Sequence, residues 1–397
     1  MTADAVSAGR TGPPARQRLW DGGTAWIVTR YDEVRAVLGD PRFVANTASL
    51  PGAGGDAHAD LLVKVGIEKD LAPYLAGGLL HLDPPDHTRL RLLVSRALSA
   101  ERVVKLRPRV RDIADELLDA LPGHAVDGTV DLVEHFALPL PFTVLCELLG
   151  VPELDRPLWR AWIGDCTGGS PRTVNTALAE YGAAVRELAA RRRTEPGDDL
   201  VTALVRARDK DGDRLTDTEL VTVVLTLMVA GHETTAHLIA NGAAALLTHP
   251  GQLALLRDDL TLMPGAVQEL LRLHSPATTA QLRHAAEDVV LGDTLIRRGD
   301  RVQADLDAAG LDPRRCPWPG RFDIGRDPRP APHLGYSHGP HRCLGAALAD
   351  QETEIALTGL LTRFPDLALA VPAGQLSWVT QPLRRLTRLP LSLGKPG

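Results

Sequence analysis

The sequence predicts a mainly α protein with a small β part, and three observations carry that prediction. Apolar residues recur at helical spacing from Asp86 to about His249. After Arg283 the texture changes to short strand-like pieces set off by turns at Gly292 and Gly299. No repeat or low-complexity tract is evident in the 397 residues, of which 44% are hydrophobic, enough to bury a large core as one big domain or two ordinary ones.

Taken in order, Met1 to Arg18 has no apolar run of signal or anchor length, and Gly12-Pro-Pro14 among three arginines predicts a loose arm over 1–18 ahead of a folded domain over 19–397. Ala25 to Thr29 reads as a short strand, and Tyr31 to Gly39 as a helix stopped by Gly39 and Pro41. From Asn46 to Leu80 the pattern dissolves into glycine-rich pieces, which predicts a long mobile connection of the kind that is usually functional. Asp83 and Pro84 are start signals for a helix on which His87 and Arg91, four apart, share a face. Hydrophilic breaks at Arg191–Asp199 and Asp209–Asp213 predict surface turns. Leu220 to Leu247 is long and apolar, but its uninterrupted runs fall short of the ~20 residues a membrane span needs. It reads as a helix through the core. Glu269 and Arg272, three apart on the next helix, are close enough to pair. Asp288–Gly292 and Arg301–Gln303 read as strands, and Leu344–Leu357 as a final helix.

A formal charge of −6 argues against nucleic acid as the main partner. The four cysteines, Cys146, Cys166, Cys316 and Cys343, are too few and too irregularly spaced for a disulfide framework, which predicts a reducing cytoplasm.

Two constellations carry chemistry. Cys343 lies in the bent run His333-Leu-Gly-Tyr-Ser-His-Gly-Pro-His-Arg-Cys-Leu-Gly345 and opens directly into a helix. Only a thiolate ligates metal, and its pKa falls beside positive charge, here His341 and Arg342, or at a helix N-terminus. Gly339 and Gly345 permit close backbone approach to a flat ligand. A lone cysteine cannot hold zinc or an iron–sulfur cluster by itself, whereas a haem needs one axial protein ligand and leaves its opposite face open. The bland alternative is a buried, inert thiol, the usual fate of free cysteine, but so bent and polar a loop suits one poorly. The second constellation is Ala230-Gly-His-Glu-Thr-Thr235, which sets Glu233 beside Thr234 in apolar surroundings where a carboxylate is costly unless paired or functional. Gly231 thins the helix for a flat cofactor, and a Thr hydroxyl bonding the i−4 carbonyl can open the ladder. A zinc hydrolase competes, because His232-Glu233 and His237 share residues with HExxH. Its histidines are four apart, ~40° around the helix, whereas these are five apart, ~140°, and diverge.

The Cys343 run resembles the ligand loop of the cytochrome P450 family, Phe-Gly-x-Gly-x-(Arg/His)-x-Cys-x-Gly. Tyr336 takes the Phe place, Gly339 the second glycine, His341 the basic place, Cys343 the ligand place and Gly345 the last glycine, while Ser337 replaces the first glycine. Ala230 to Thr235 resembles the family's oxygen-activating motif, (Ala/Gly)-Gly-x-(Asp/Glu)-Thr, with no residue missing. Glu269–Arg272 with the segment after it resembles the Glu-x-x-Arg helix, and His81–Arg91 is similar to the haem-edge helix. The likeness runs from about Trp26 to the C-terminus. There are departures besides Ser337: Ala309-Gly-Leu-Asp-Pro313 stands for Ala-Asn-Arg-Asp-Pro, Cys316 takes a Phe place, and Val379 stands where related bacterial chains often have Arg.

The resemblance implies a triangular, α-rich single domain with haem b between the central helix and the Cys343 loop. Cys343 would ligate the iron, with Ala230, Gly231, Tyr336 and Gly345 against the cofactor. His87, Arg91, Arg283 and His341 would bind its two propionates. Thr234 would hydrogen-bond the oxygen being activated, and Glu233 would relay protons to it. Glu269, Arg272 and Arg326 would form a structural network bracing the Cys343 loop. The implied activity is monooxygenation, by hydroxylation or epoxidation, with electrons from NAD(P)H through a ferredoxin reductase and a ferredoxin that docks on the Cys343 side of a monomer. Pocket walls would come from 46–80, roughly 160–185, Val229-Ala230, Ala277 to Leu282 with Thr278, and Trp378 to Thr380 with Val379. Their small aliphatic character implies a sizeable apolar substrate, such as a polyketide, macrolide or terpenoid intermediate. Two rivals are oxidative coupling or rearrangement on the same haem without oxygen insertion, and a non-catalytic haem sensor.

Overall fold

A computed structural model of the chain describes residues 11–394 apart from 20, 53 and 209–211. Its elements run β1 (Ala15–Arg18), β2 (Thr24–Val28), α1 (Tyr31–Gly39), β3 (Phe43–Val44), α2 (Ala57–Lys64), α3 (Ala72–Ala76), α4 (Asp86–Ala97), α5 (Ala100–Ala120), β4 (Val130–Asp131) and α6 (Pro139–Leu149). There follow α7 (Arg156–Gly168), α8 (Pro171–Thr194), α9 (Leu200–Arg206), α10 (Asp217–Thr248), α11 (Pro250–Asp258), α12 (Met263–Leu273), β5 (Arg283–Ala285), β6 (Val289–Leu291), β7 (Thr294–Ile296) and β8 (Arg301–Ala304). The chain closes with α13 (Leu306–Gly310), α14 (Ala346–Arg363), β9 (Ala368–Leu369), β10 (Trp378–Val379), β11 (Arg385–Leu386) and β12 (Pro390–Ser392). Helices dominate and the strands are short, as the periodicity predicts.

These elements pack as two compact units. The first comprises residues 11–43, 106–141 and 233–394, and the second 44–105 and 142–232. In the first, a sheet of order β1-β2-β8-β5-β3 pairs Val28 with Ala304 in parallel and Arg283 with Val302 antiparallel. Its core joins Val28, Val302 and Ala304 to Val34, Val37 and Leu38 of α1 and to Leu334, which anchors the run leading to Cys343. The helix α1 takes the predicted boundaries, and its first amide, Tyr31 N, is capped from afar by Asp312 Oδ2 at 2.9 Å. In the second unit α8 starts where Ser170 accepts from Thr173 N and Pro171 fixes the first turn, and α9 where Asp199 accepts from Thr202 N at 2.7 Å.

Several expectations are corrected. The 46–80 stretch is not one loop but carries α2, capped by Asp56, and α3. No residue of α2 is fully buried, and only His58, Ala59 and Leu62 are half-buried, so its packing left a weak pattern in the sequence. Asp83 does not cap α4. Its carboxylate accepts from Ala45 N and Asn46 N, each at 2.8 Å, and from the Ser49 hydroxyl, tying that segment down. Of the arm expected over 1–18, residues 1–10 lie outside the described residues, and Ala15–Arg18 is a strand paired with β2, where Arg16 covers the Trp26 ring. The break at Asp209–Asp213 falls largely outside the described residues. The helix α10 runs unbroken through Ala230–Thr235, with no opened ladder. It is the only described helix long and apolar enough to cross a membrane, and 61% of its most apolar stretch is buried by the protein itself.

Candidate active site

The loop ending at Cys343 is held by backbone geometry. Ser337 and Gly339 both take positive φ, 61° and 70°, so the turn survives the replacement of the first glycine. Ser337 N donates to Leu334 O at 2.7 Å and Cys343 N to Tyr336 O at 2.8 Å. A Cβ on Gly339 would stand 2.5 Å from Leu38 O, and one on Gly335 2.8 Å from Leu271 O, so the loop is pressed between the ends of α1 and α12. Side chains complete the hold. Tyr336 donates its hydroxyl to Asp350 Oδ1 at 2.7 Å, and His333 Nε2 meets Gln268 Oε1 at 3.0 Å. None of Gln268, His333 and Asp350 was singled out from the sequence. The available signal was Tyr336 itself, since a tyrosine in a phenylalanine place, here half-buried, needs a partner for its hydroxyl.

Glu269 and Arg272, both buried, and the half-buried Arg326 are joined in one network. Arg272 grips Glu269 with Nε and Nη2 at 2.7 and 2.8 Å, and Arg326 Nε reaches Glu269 Oε1 at 3.2 Å. Their remaining donors go to the carbonyls of Gly310, Pro319 and Arg321 from Arg272, and of Pro317, Trp318 and Arg321 from Arg326. These bonds brace 310–321 rather than the Cys343 loop, which corrects the expected role. They also explain a departure: a Cβ at Gly310 would lie 2.7 Å from Arg272 O, so a larger residue there forces a shift.

Along α10, burial gives way at Thr226, Leu227, Ala230, Glu233 and Thr234, which recur at helical spacing on one face. Ala230 is exposed; Val229, Glu233 and Thr234 are half-buried. Gly231 is explained otherwise than expected. A Cβ there would meet Leu145 Cδ1 at 3.2 Å, so its lack of a side chain seats α6 against α10. The zinc reading fails on geometry. His232 is buried edge-on to Phe142, and His237 is buried and pushed down to about 4, by burial first and Arg385 second. Among the described residues no three His, Cys, Asp or Glu side chains are grouped to hold an ion.

The donor set fits a haem. Cys343 is exposed, whereas burial pushes the thiols of Cys146 and Cys166 up to about 12 and keeps them protonated. Beside Cys343, a Cβ on Gly345 would meet nothing within 4 Å, leaving room for a flat group. Arg283 is buried on β5 at 2% exposure, with His341 half-buried in the ligand loop. In the second unit His87 is equally buried on α4, with Arg91 half-buried one turn on. These are nitrogen donors of the kind that pair with carboxylates such as haem propionates.

Ala277, Thr278 and Leu282 lie half-buried in one stretch that runs beside β8, where Ala280 N donates to Ala304 O at 3.0 Å. Val379 is on β10 opposite Arg385. Asn241, two turns along α10 from Thr234, is fully buried and donates to His274 O and Arg384 O at 3.2 and 3.1 Å. It thereby fixes both segments to the helix. The sequence reading missed it, although a lone amide inside an apolar helix is a visible signal.

A family model described as cytochrome P450 matches residues 176–367. The chain is 46% identical over 382 residues to cytochrome P450 monooxygenase PikC of Streptomyces venezuelae, covering 96% of this chain and 88% of that one. It is 41% identical over 377 residues to 6-deoxyerythronolide B hydroxylase of Saccharopolyspora erythraea, covering 94% and 91%. Among solved structures, the cytochrome P450 enzyme CxnD for C–S bond formation in chuangxinmycin biosynthesis matches with a TM-score of 0.82 at 38% identity, covering 94% of this chain and 89% of that one.

Proposed function

This chain belongs to the cytochrome P450 family and is a haem-thiolate monooxygenase, and from that premise we propose that it hydroxylates or epoxidises a sizeable apolar intermediate of a bacterial polyketide, macrolide or terpenoid pathway. The observation that carries the reading is Cys343, an exposed thiol held by its own N–H on a glycine-bent loop at the mouth of α14. The chemistry that haem b supplies when bound is activation of dioxygen, one atom passing to the substrate and the other leaving as water after uptake of two electrons and two protons.

Cys343 would hold the iron through Sγ, with Tyr336 and Gly345 beside it in the ligand loop. Arg283 and His341, with His87 and Arg91, neutralise the propionates. Ala230 is the open position of α10 that admits the flat group. Thr234 presents a hydroxyl on the same face and would donate to oxygen held there, while Glu233, half-buried beside it, would pass protons inward from water. The pair costs little as a relay because neither is sealed from solvent. Glu269, Arg272 and Arg326 are structural, and residues 19–397 act as one haem-thiolate domain. Redox partner proteins deliver electrons from NAD(P)H. We infer a ferredoxin and its reductase, with the ferredoxin docking on the Cys343 side of a cytoplasmic monomer, where Arg342 is exposed. Val229, Ala277, Thr278, Leu282 and Val379 wall the substrate.

The resemblance to CxnD keeps a second reading alive, oxidative coupling or rearrangement without oxygen insertion. Turnover under isotopically labelled dioxygen separates the two, using a ligand found by the spin-state shift it causes. Monooxygenation puts one labelled atom into the product. A product formed without label establishes the rival.

A further inference from the structure

We propose that Asp350 is a positioning residue that sets the reduction potential of the iron through Tyr336. The inference rests on the reading of Cys343 as the iron's ligand.

A chain of hydrogen bonds ends on this carboxylate from two directions. Gly335 N donates to His333 Nδ1 at 3.2 Å, so the proton of the imidazole is on Nε2, which donates to Gln268 Oε1 at 3.0 Å. That orients the amide of Gln268, whose Nε2 then faces Asp350 Oδ2 at 3.5 Å. From the other side the Tyr336 hydroxyl donates to Asp350 Oδ1 at 2.7 Å, and the His333 and Tyr336 rings meet edge to face with centroids 5.3 Å apart. Both oxygens of Asp350 therefore face donors. An ionised carboxylate satisfies the Tyr336 hydroxyl and the Gln268 amide together, so these two bonds favour the charged form. Overall this carboxyl is pushed up, by burial first; the bond from Tyr336 opposes that, Glu354 adds to it, and Gln268 and Arg342 oppose it.

Tyr336 also touches the ligand: its carbonyl accepts the Cys343 N–H at 2.8 Å. One residue thus grips the anion with its ring and the iron-binding residue with its backbone. A fixed negative charge on the thiolate side disfavours adding an electron to the iron, and partners beyond the ligands are a recognised means of tuning a metal. Asparagine keeps the shape and the acceptor for Tyr336 but turns a donor toward Gln268, so Asp350→Asn removes the charge together with that one contact.

The test is the iron midpoint potential of haem-loaded wild type, Asp350→Asn and Asp350→Glu, with the melting temperature of each recorded. The expected result is a positive shift for Asp350→Asn and a potential near wild type for Asp350→Glu, whatever their stabilities. Equal potentials for wild type and Asp350→Asn, or equal shifts for both variants, overturn the proposal. Should Asp350→Asn fail to bind haem, Tyr336→Phe removes only the intervening hydroxyl: a shifted potential supports the role and an unchanged one overturns it. If reduced wild type under carbon monoxide lacks a strongly red-shifted Soret band, it is the Cys343 reading that falls instead.

Discussion

At the scale of single residues, two side chains sit where physical chemistry disfavours them. Ser337 holds φ 61° where only glycine is comfortable, because the turn into Cys343 requires it. Ser337→Gly is expected to stabilise the protein by about 0.5–1 kcal/mol in urea unfolding, the relief of left-handed strain exceeding the added chain entropy. A loss of stability would show that the serine contributes something its backbone does not reveal. Glu352 is 1% exposed on α14, and burial pushes its carboxyl up to about 8 from an ordinary 4.5. The folded state then binds a proton that the unfolded state releases, so its neutral form is favourable at low pH and stability is lost as pH rises from 4.5 toward 8. Glu352→Gln should match wild type below about pH 4 and gain on it by at most roughly 1.4 kcal/mol per pH unit above that. A pH-independent difference would contradict the assignment. Neither position was legible as strained in the sequence, since φ and burial are properties of the finished fold.

Among the elements, legibility followed burial. The helix α1 was read to the residue because Val34, Val37 and Leu38 face the core and Gly39 ends it. By contrast α2 buries no residue fully, His58, Ala59 and Leu62 being half-buried, and left a weak pattern. The ligand loop and the Glu233-Thr234 turn of α10 were found through fixed motifs. What the motifs could not give is the hold on their surroundings: which carbonyls Arg272 and Arg326 clamp, why Gly310 is glycine, and that Gly231 serves Leu145. Asn241 shows how an element transmits this hold. Asn241→Leu leaves two carbonyls without their donor inside the protein and should cost about 1–3 kcal/mol. It should also weaken binding of an apolar ligand, read by spin-state titration, because the segments carrying Ala277–Leu282 and Val379 lose their tie to α10. Lowered stability with unchanged affinity would confine Asn241 to a structural part.

For the whole molecule, the fold class was readable from periodicity and motifs, and the proposed ligand cysteine and oxygen-side pair stand out because the proposed chemistry calls for those residue types at that spacing, whereas the proposed substrate walls are half-buried small side chains that impose no pattern. Every functional statement converges on one bond, from Cys343 Sγ to iron. The most direct test is the absorption spectrum of purified wild type and Cys343→Ala, each loaded with haem, reduced and exposed to carbon monoxide. The account predicts a strongly red-shifted Soret band in wild type and its loss in Cys343→Ala, with helix content retained. The same band in both proteins would contradict it.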